Sequence, residues 1–202
     1  MKKIGRQVCF LETTPNNRRY GEGSFVRLKD GSIMFGYTEY IGNSGHDFAD
    51  AQISAVISRD EGETWGEKRV LFTKPEGAKN IMSLSFLRMG NGDICAFYIL
   101  KEPDMKLPFA SIKEGKVCNP TKILCVRSSD EGKTWDEPVD CLSMLDKGDY
   151  FVLNNDRVIR LKSGRILFAL ARHTIHQDRF YFSPGQLCFV YSDDDGYTWT
   201  KV

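Results

Sequence analysis

The side chains able to clamp a ligand or move a proton gather in six stretches of this 202-residue chain. Three begin with polar residues ahead of an extended run: Arg18-Arg19-Tyr20-Gly21-Glu22, Lys79-Asn80 and Asn154-Asn155-Asp156-Arg157. The other three are Gly42 to Asp50, which holds His46, Asp47 and Asp50, the run from Lys101 to Lys116, and Arg172-His173-Thr174-Ile175-His176. A planar guanidinium meets a carboxylate through two charge-assisted hydrogen bonds, so Arg19, Arg157 and Arg172 are candidate ligand clamps. Asp47, Asp50 and Glu22 can exchange a proton or accept a hydrogen bond from a hydroxyl, His173 can donate a proton near neutral pH, and Asn80, Asn155 and Asp156 complete a polar rim. Each residue also has a plainer use. Asn and Asp cap strand entrances by bonding their own backbone, and an Arg19–Glu22 pair on a surface contributes little to stability.

Repetition dominates the elements that must position these residues. The octets Ser58-Arg59-Asp60-Glu61-Gly62-Glu63-Thr64-Trp65, Ser128-Ser129-Asp130-Glu131-Gly132-Lys133-Thr134-Trp135 and Ser192-Asp193-Asp194-Asp195-Gly196-Tyr197-Thr198-Trp199 share one pattern and contain all the tryptophan in the chain. Their Ser and Asp can bond nearby backbone, their Gly supplies a positive φ, and Thr and Trp return the chain to extended, buried structure. The octets are therefore expected to be structural hairpin turns, and the fold a series of like units.

A second repeat precedes each octet. Phe25–Tyr37, Phe86–Tyr98 and Val158–Leu170 read as strand, tight turn and strand around Asp30-Gly31, Asn91-Gly92 and Ser163-Gly164. A third strand, rich in β-branched and aromatic residues, runs into each octet at Ile53–Ile57, Lys122–Val126 and Gln186–Tyr191, and a fourth follows the first two at Arg69–Phe72 and Val139–Leu142. Each unit is a four-stranded antiparallel meander, and such sheets repeated about an axis make a β-propeller. The expected blades are residues 18–75, 80–145 and 154–202 of a single all-β domain. Octet turns close one face of a propeller, whereas the polar stretches fall in loops on the other, where functional residues are to be sought.

These octets resemble the Asp-boxes of the sialidase superfamily, and Gly21–Gly31, Asn80–Ser83 and Asn154–Arg157 are similar to the bacterial sialidase-like exo-glycosidases. The resemblance covers the chain from about Arg18 to Trp199. It implies a six-bladed propeller of which about three blades are here, and hydrolysis of a terminal sialic acid or related sugar. It also implies a glycan partner, no cofactor and no metal. In that family an Asp on a first-blade loop is the acid/base, an activated Tyr is the nucleophile and arginines bind the substrate carboxylate. The resemblance matches Asp47 to that Asp, with Asp50 as its near competitor. The family's Phe-Arg-Ile-Pro motif is replaced by Tyr20-Gly21-Glu22-Gly23, which puts Gly21 at the arginine position and leaves Arg19, two residues earlier, to serve. A different sugar, or a non-catalytic propeller that binds carbohydrate or protein, stays open.

The nucleophile and the remaining arginines are expected on later blades, so the chain reads as the N-terminal half of a longer protein and is expected to be inactive alone. Gln7–Glu12 is expected to be an outer strand that closes the ring, and the third blade is expected to lack its outer strand. Exposed sheet edges invite edge-to-edge self-association. With 28 basic and 27 acidic residues the chain carries no field for nucleic acid or an anionic membrane. Its apolar runs are strand-sized, and the start Met1-Lys2-Lys3-Ile4-Gly5-Arg6 has no apolar stretch behind it, so a cytoplasmic location without a signal peptide is expected. Six cysteines without metal-ligand spacing read as free thiols, all but Cys118 in strands.

Overall fold

Alternating apolar residues and Gly-centred turns fold the chain into three antiparallel sheets. The computed structural model describes residues 5–102, 121–144, 149–174 and 185–201. Blade one is β1 (Arg19–Arg27), β2 (Ile33–Tyr40), β3 (Ala51–Ser58) and β4 (Arg69–Phe72), hydrogen-bonded in that order. Blade two repeats it with β5 (Asn80–Arg88), β6 (Ile94–Lys101), β7 (Thr121–Ser128) and β8 (Val139–Asp140). In blade three β9 (Asp149–Val152) and β10 (Val158–Arg160) both pair with β11 (Ile166–Thr174), which continues to β12 (Gln186–Ser192) and β13 (Thr200–Lys201). The three first-hairpin turns are copies: Leu28, Met89 and Leu161 donate to the carbonyls of Ser32, Asp93 and Arg165 at 2.8 Å each.

Period-two burial places the core between blades. Along β6, Ile94, Ala96, Tyr98 and Leu100 enter a cluster shared with Met34, Ile53 and Ala55 of blade one, while Cys95, Phe97 and Ile99 enter another shared with Phe168, Leu170 and Val190 of blade three. A sheet buried on both faces needs an unbroken apolar strand, and Ile94–Leu100 is one. Trp135 lies edge-on to Phe72 of blade one (4.9 Å between centroids), and Trp199 edge-on to Phe97 of blade two (5.7 Å). The second and third octet tryptophans thus seal their blades to the one before, whereas Trp65 packs against Phe25 and Phe35 of its own blade.

The octet turns also close as their residue types require. In the second, the Ser128 hydroxyl donates to Asp130 (2.8 Å) and accepts from Gly132 N–H (2.7 Å), while Asp130 accepts from the backbone (2.9 Å) and hydroxyl (2.7 Å) of Thr134. The first and third repeat those contacts. Gly132 adopts φ 78°, and a Cβ there would come within 3.2 Å of both Met34 and Trp135, so conformation and space both demand glycine. The octets reach across blades as well: Glu131 accepts from Lys29 N–H (2.8 Å), and Asp195 from Gly90 N–H (2.9 Å).

Four strand expectations change. Residues 5–13 form no strand: no ladder joins them to a neighbouring strand, residues 5–10 are all exposed, and Cys9 is therefore not in a strand. The strand expected over Val139–Leu142 is two residues long, and the third blade begins the outer strand it was expected to lack. The inner strand of blade three starts at Asp149 and breaks between β9 and β10. Cys95, Cys125 and Cys141 are buried, Cys188 is half-buried, and Cys118 lies outside the described residues.

Candidate functional site

At the end of the blades opposite the octets, the two inner strands of each blade carry equivalent ladder pairs: Arg19 with Tyr40 and Asn80 with Lys101, which end their ladders, and Tyr150 with His173, one pair short of the end at Asp149 with Thr174. Equivalent positions, filled by repeats on the other face, here hold different chemistry.

Blade one supplies the densest cluster. A bulge between Gly21 and Ser24 puts Glu22 at φ 57° and turns its carboxylate back along β1. There it accepts from Arg19 Nη2 at 2.6 Å and from the buried Tyr40 hydroxyl at 3.2 Å. The Gly42–Asp50 loop is closed by bonds from Ile41 N–H to Asp50 O (2.9 Å) and Ala49 N–H to His46 O (2.7 Å), and it brings Asp47 over β1. Arg19 Nη1 donates to Asp47 Oδ1 at 2.6 Å and to Gly45 O at 3.2 Å, and the guanidinium lies 4.5 Å above the Tyr40 ring centroid. Asp47 is 58% exposed and Arg19 36%, so a ligand can reach both.

The electrostatics of the cluster are balanced. Burial disfavours the charge on Arg19, but the hydrogen bond to Asp47 and the nearby Glu22 outweigh it and hold the guanidinium charged. Burial and the Glu22 charge push the Tyr40 hydroxyl well above its ordinary range, so it remains a neutral donor. Lys101 is 3% exposed, and burial draws its pKa down to about 8 against the opposing pull of Asp47 and Glu22. Two cations and two carboxylates meet here with no surplus positive charge.

The structure therefore joins Arg19, Glu22 and Asp47. Asn80 is buried beneath them and gives both side-chain hydrogens to carbonyls of the Asp47 loop. Asp50 points elsewhere, 3.4 Å from Lys74 Nζ. Asn155 donates to Gly23 O (3.3 Å), and Asp156, at φ 57°, accepts from the Ser24 hydroxyl (3.0 Å). Arg157 donates its backbone N–H to Ser85 Oγ (3.1 Å) and is exposed. These three sit in the break of the third inner strand and tie blade three to blades one and two. Arg172 and His173 lie just before the end of β11, half-buried, and the His173 ring lies against Gly185. His176 and residues 103–116 lie outside the described residues.

Tyr40 and Lys101 belong to the cluster; the sequence marks Lys101 only as the first residue of a polar run and does not mark Tyr40. Each ends a second strand, which is the one signal that places it on the open face. Among the described residues no group of three or more His, Cys, Asp or Glu is arranged to hold a metal ion, and no helix is long and apolar enough to cross a membrane.

The profile of the BNR repeat-like domain family matches residues 37–202. The chain belongs to that family. Solved structures similar to this BNR-repeat chain include the Hadza microbial sialidase Hz136 (20% identity, TM-score 0.71, 90% of this chain and 37% of that one). Trypanosoma rangeli sialidase in complex with sialic acid is similar at 15% identity and TM-score 0.66 over 91% of this chain and 30% of that one. The Ruminococcus gnavus intramolecular trans-sialidase, in complex with oseltamivir carboxylate, gives 12% and 0.68 over 97% and 62%. No curated protein matches the sequence. The chain spans between 30% and 62% of the length of these three solved relatives. At such identities the likeness establishes the fold, which is that of the sialidase propellers, in an unclosed ring.

Proposed function

We propose that this BNR-repeat chain forms part of a sialidase-like exo-glycosidase that hydrolyses a terminal sialic acid or related sugar. Asp47 transfers the proton at the glycosidic oxygen, and Arg19 with Glu22 holds the sugar. The observation that carries the reading is the 2.6 Å contact between Asp47 Oδ1 and Arg19 on the open face of a sialidase-fold blade, with the carboxylate accessible to a ligand. A carboxylic acid exchanges protons with a leaving oxygen or an attacking water if it lies within hydrogen-bond reach of the bond cleaved. Tyr40, fully buried under Arg19, holds Glu22 and is not the nucleophile. That role is assigned to the remainder of a full ring, so the 202 residues alone are expected to hydrolyse no aryl glycoside.

The test is hydrolysis of a panel of aryl glycosides, sialosides included, by the completed propeller and its Asp47→Ala variant. Loss of roughly a hundredfold or more in kcat, with folding intact, supports the reading. Equal turnover by the variant refutes it.

One observation favours a second reading. Both terminal nitrogens of Arg19 already bond carboxylates, so its fork presents no vacant bidentate face to an acidic sugar. A non-catalytic propeller that binds a neutral glycan or a protein accommodates that arrangement. It predicts glycan binding without turnover in the completed ring.

A further inference from the structure

Asp47 stands on a loop of blade one, yet the groups beneath that loop come from blade two. Asn80, buried at the start of β5, donates to the carbonyl of Asp47 at 2.8 Å and to that of Ala49 at 2.9 Å. Lys101, its ladder partner at the end of β6, donates to the same Asp47 carbonyl, and its ammonium stands 4.3 Å from the Phe48 ring centroid. Asp47 is thus gripped by both side chains and Phe48 and Ala49 by one each, across separations of 31 to 54 residues. Burying an ammonium costs free energy that a methionine of similar length would not, and Asp47 and Glu22 offset this cost only partly while Arg19 adds to it. A charged group kept in such a place points to a task beyond filling space.

We propose that Lys101, with Asn80, is a positioning residue for Asp47: the pair fastens the 42–50 loop of blade one to blade two and holds the carboxylate within reach of Arg19. The spacing between two blades, rather than the loop's own sequence, then sets where the proton-transferring group stands. The fastening rests on geometry alone. Its consequence for chemistry rests on the glycosidase reading above.

Amide exchange separates the two. The Ala49 and Ile41 N–H groups, bonded within the loop, report its anchoring directly. Removing Lys101 donors in Lys101→Met, or both Asn80 donors in the near-isosteric Asn80→Leu, should accelerate exchange at these amides about tenfold, as loss of one buried hydrogen bond would. Amides inside β3 and β6 should stay unchanged. In the completed propeller the same variants should lower kcat more than they raise KM, and add no further loss in an Asp47→Asn background. Unaltered Ala49 exchange in a folded variant overturns the fastening, as does an Ala49 amide that exchanges in the parent as fast as an exposed turn, a measurement that requires no variant to fold. Faster exchange with kcat unchanged overturns the positioning role. Faster exchange in variants of a protein whose Asp47→Asn form is fully active leaves the fastening in place and removes the glycosidase reading.

Discussion

The two ends of each blade follow opposite rules. At the octet end the same Ser, Asp, Gly, Thr and Trp recur three times with hydrogen bonds that agree within a few tenths of an ångström. At the open end the equivalent ladder pairs are Arg19 with Tyr40, Asn80 with Lys101, and Tyr150 with His173. Repetition follows where every blade has the same structural problem, which is to close a hairpin and seal against its neighbour. Divergence marks the open end, where each blade presents different side chains. The octet carboxylates Asp60, Asp130 and Asp194 are spent on their own turns, whereas Asp47 remains accessible beside Arg19.

If that contrast holds, octet substitutions should act on stability and open-face substitutions on function. The largest effect is expected at Trp199, packed against Phe97 and Phe168: Trp199→Ala should cost about 3–5 kcal/mol in denaturant unfolding. Trp65→Ala should cost clearly less, because Trp65 meets Phe25 and Phe35 of its own blade and is half-exposed. Equal costs would remove the role of the indole as a seal between blades.

Next is a response to alkali. The pKa of Lys101 falls from 10.5 to about 8 through burial, so between about pH 8 and 10.5 the unfolded chain binds more protons than the folded one. Stability should therefore rise with pH across that window, by an amount on the order of 3 kcal/mol at most. Lys101→Met should abolish the rise. Acid should act in the opposite sense at the octets. Burial pushes the Asp194 carboxyl up, but hydrogen bonds from Thr198 and Ser192 overcome this and bring it from 3.8 to about 2. A carboxylate lowered in the fold stabilises it above the unfolded value, and this contribution is lost as pH falls from about 4 toward 2. Thermal melts should drop through that window, and an Asp194→Asn variant should drop less. The smallest effect is expected for Asp50→Asn, since an exposed carboxylate 3.4 Å from Lys74 should change neither stability nor turnover by more than about 0.5 kcal/mol.

What the sequence discloses follows the same division. The octets and Asp30-Gly31, Asn91-Gly92 and Ser163-Gly164 turns are legible because their chemistry is contained within a few residues, and the strands between them because of their β-branched and aromatic content. Gln7–Glu12 has the alternation of a strand, but alternation supplies no partner, and Phe10 is 70% exposed. Asn154–Arg157 has the composition of a strand entrance and instead fills a break, since only the register against β11 reveals that Asp149–Val152 precedes it. On the open face Arg19, Glu22 and Asp47 could be named from loop position and family resemblance. Tyr40 could not, and Lys101 only as the start of a polar run, because their burial is created by a loop folding over them from elsewhere in the chain.

The most direct measurement compares two single carboxylates in the completed propeller, Asp47→Asn on the open face and Asp130→Asn in the second octet, each assayed for glycoside hydrolysis and for thermal melting. The account predicts that Asp47→Asn loses activity by roughly a hundredfold or more with its melting temperature unchanged. Asp130→Asn should melt earlier and keep its turnover at a temperature where it is folded. Full activity in Asp47→Asn, or activity lost in a folded Asp130→Asn, would contradict it.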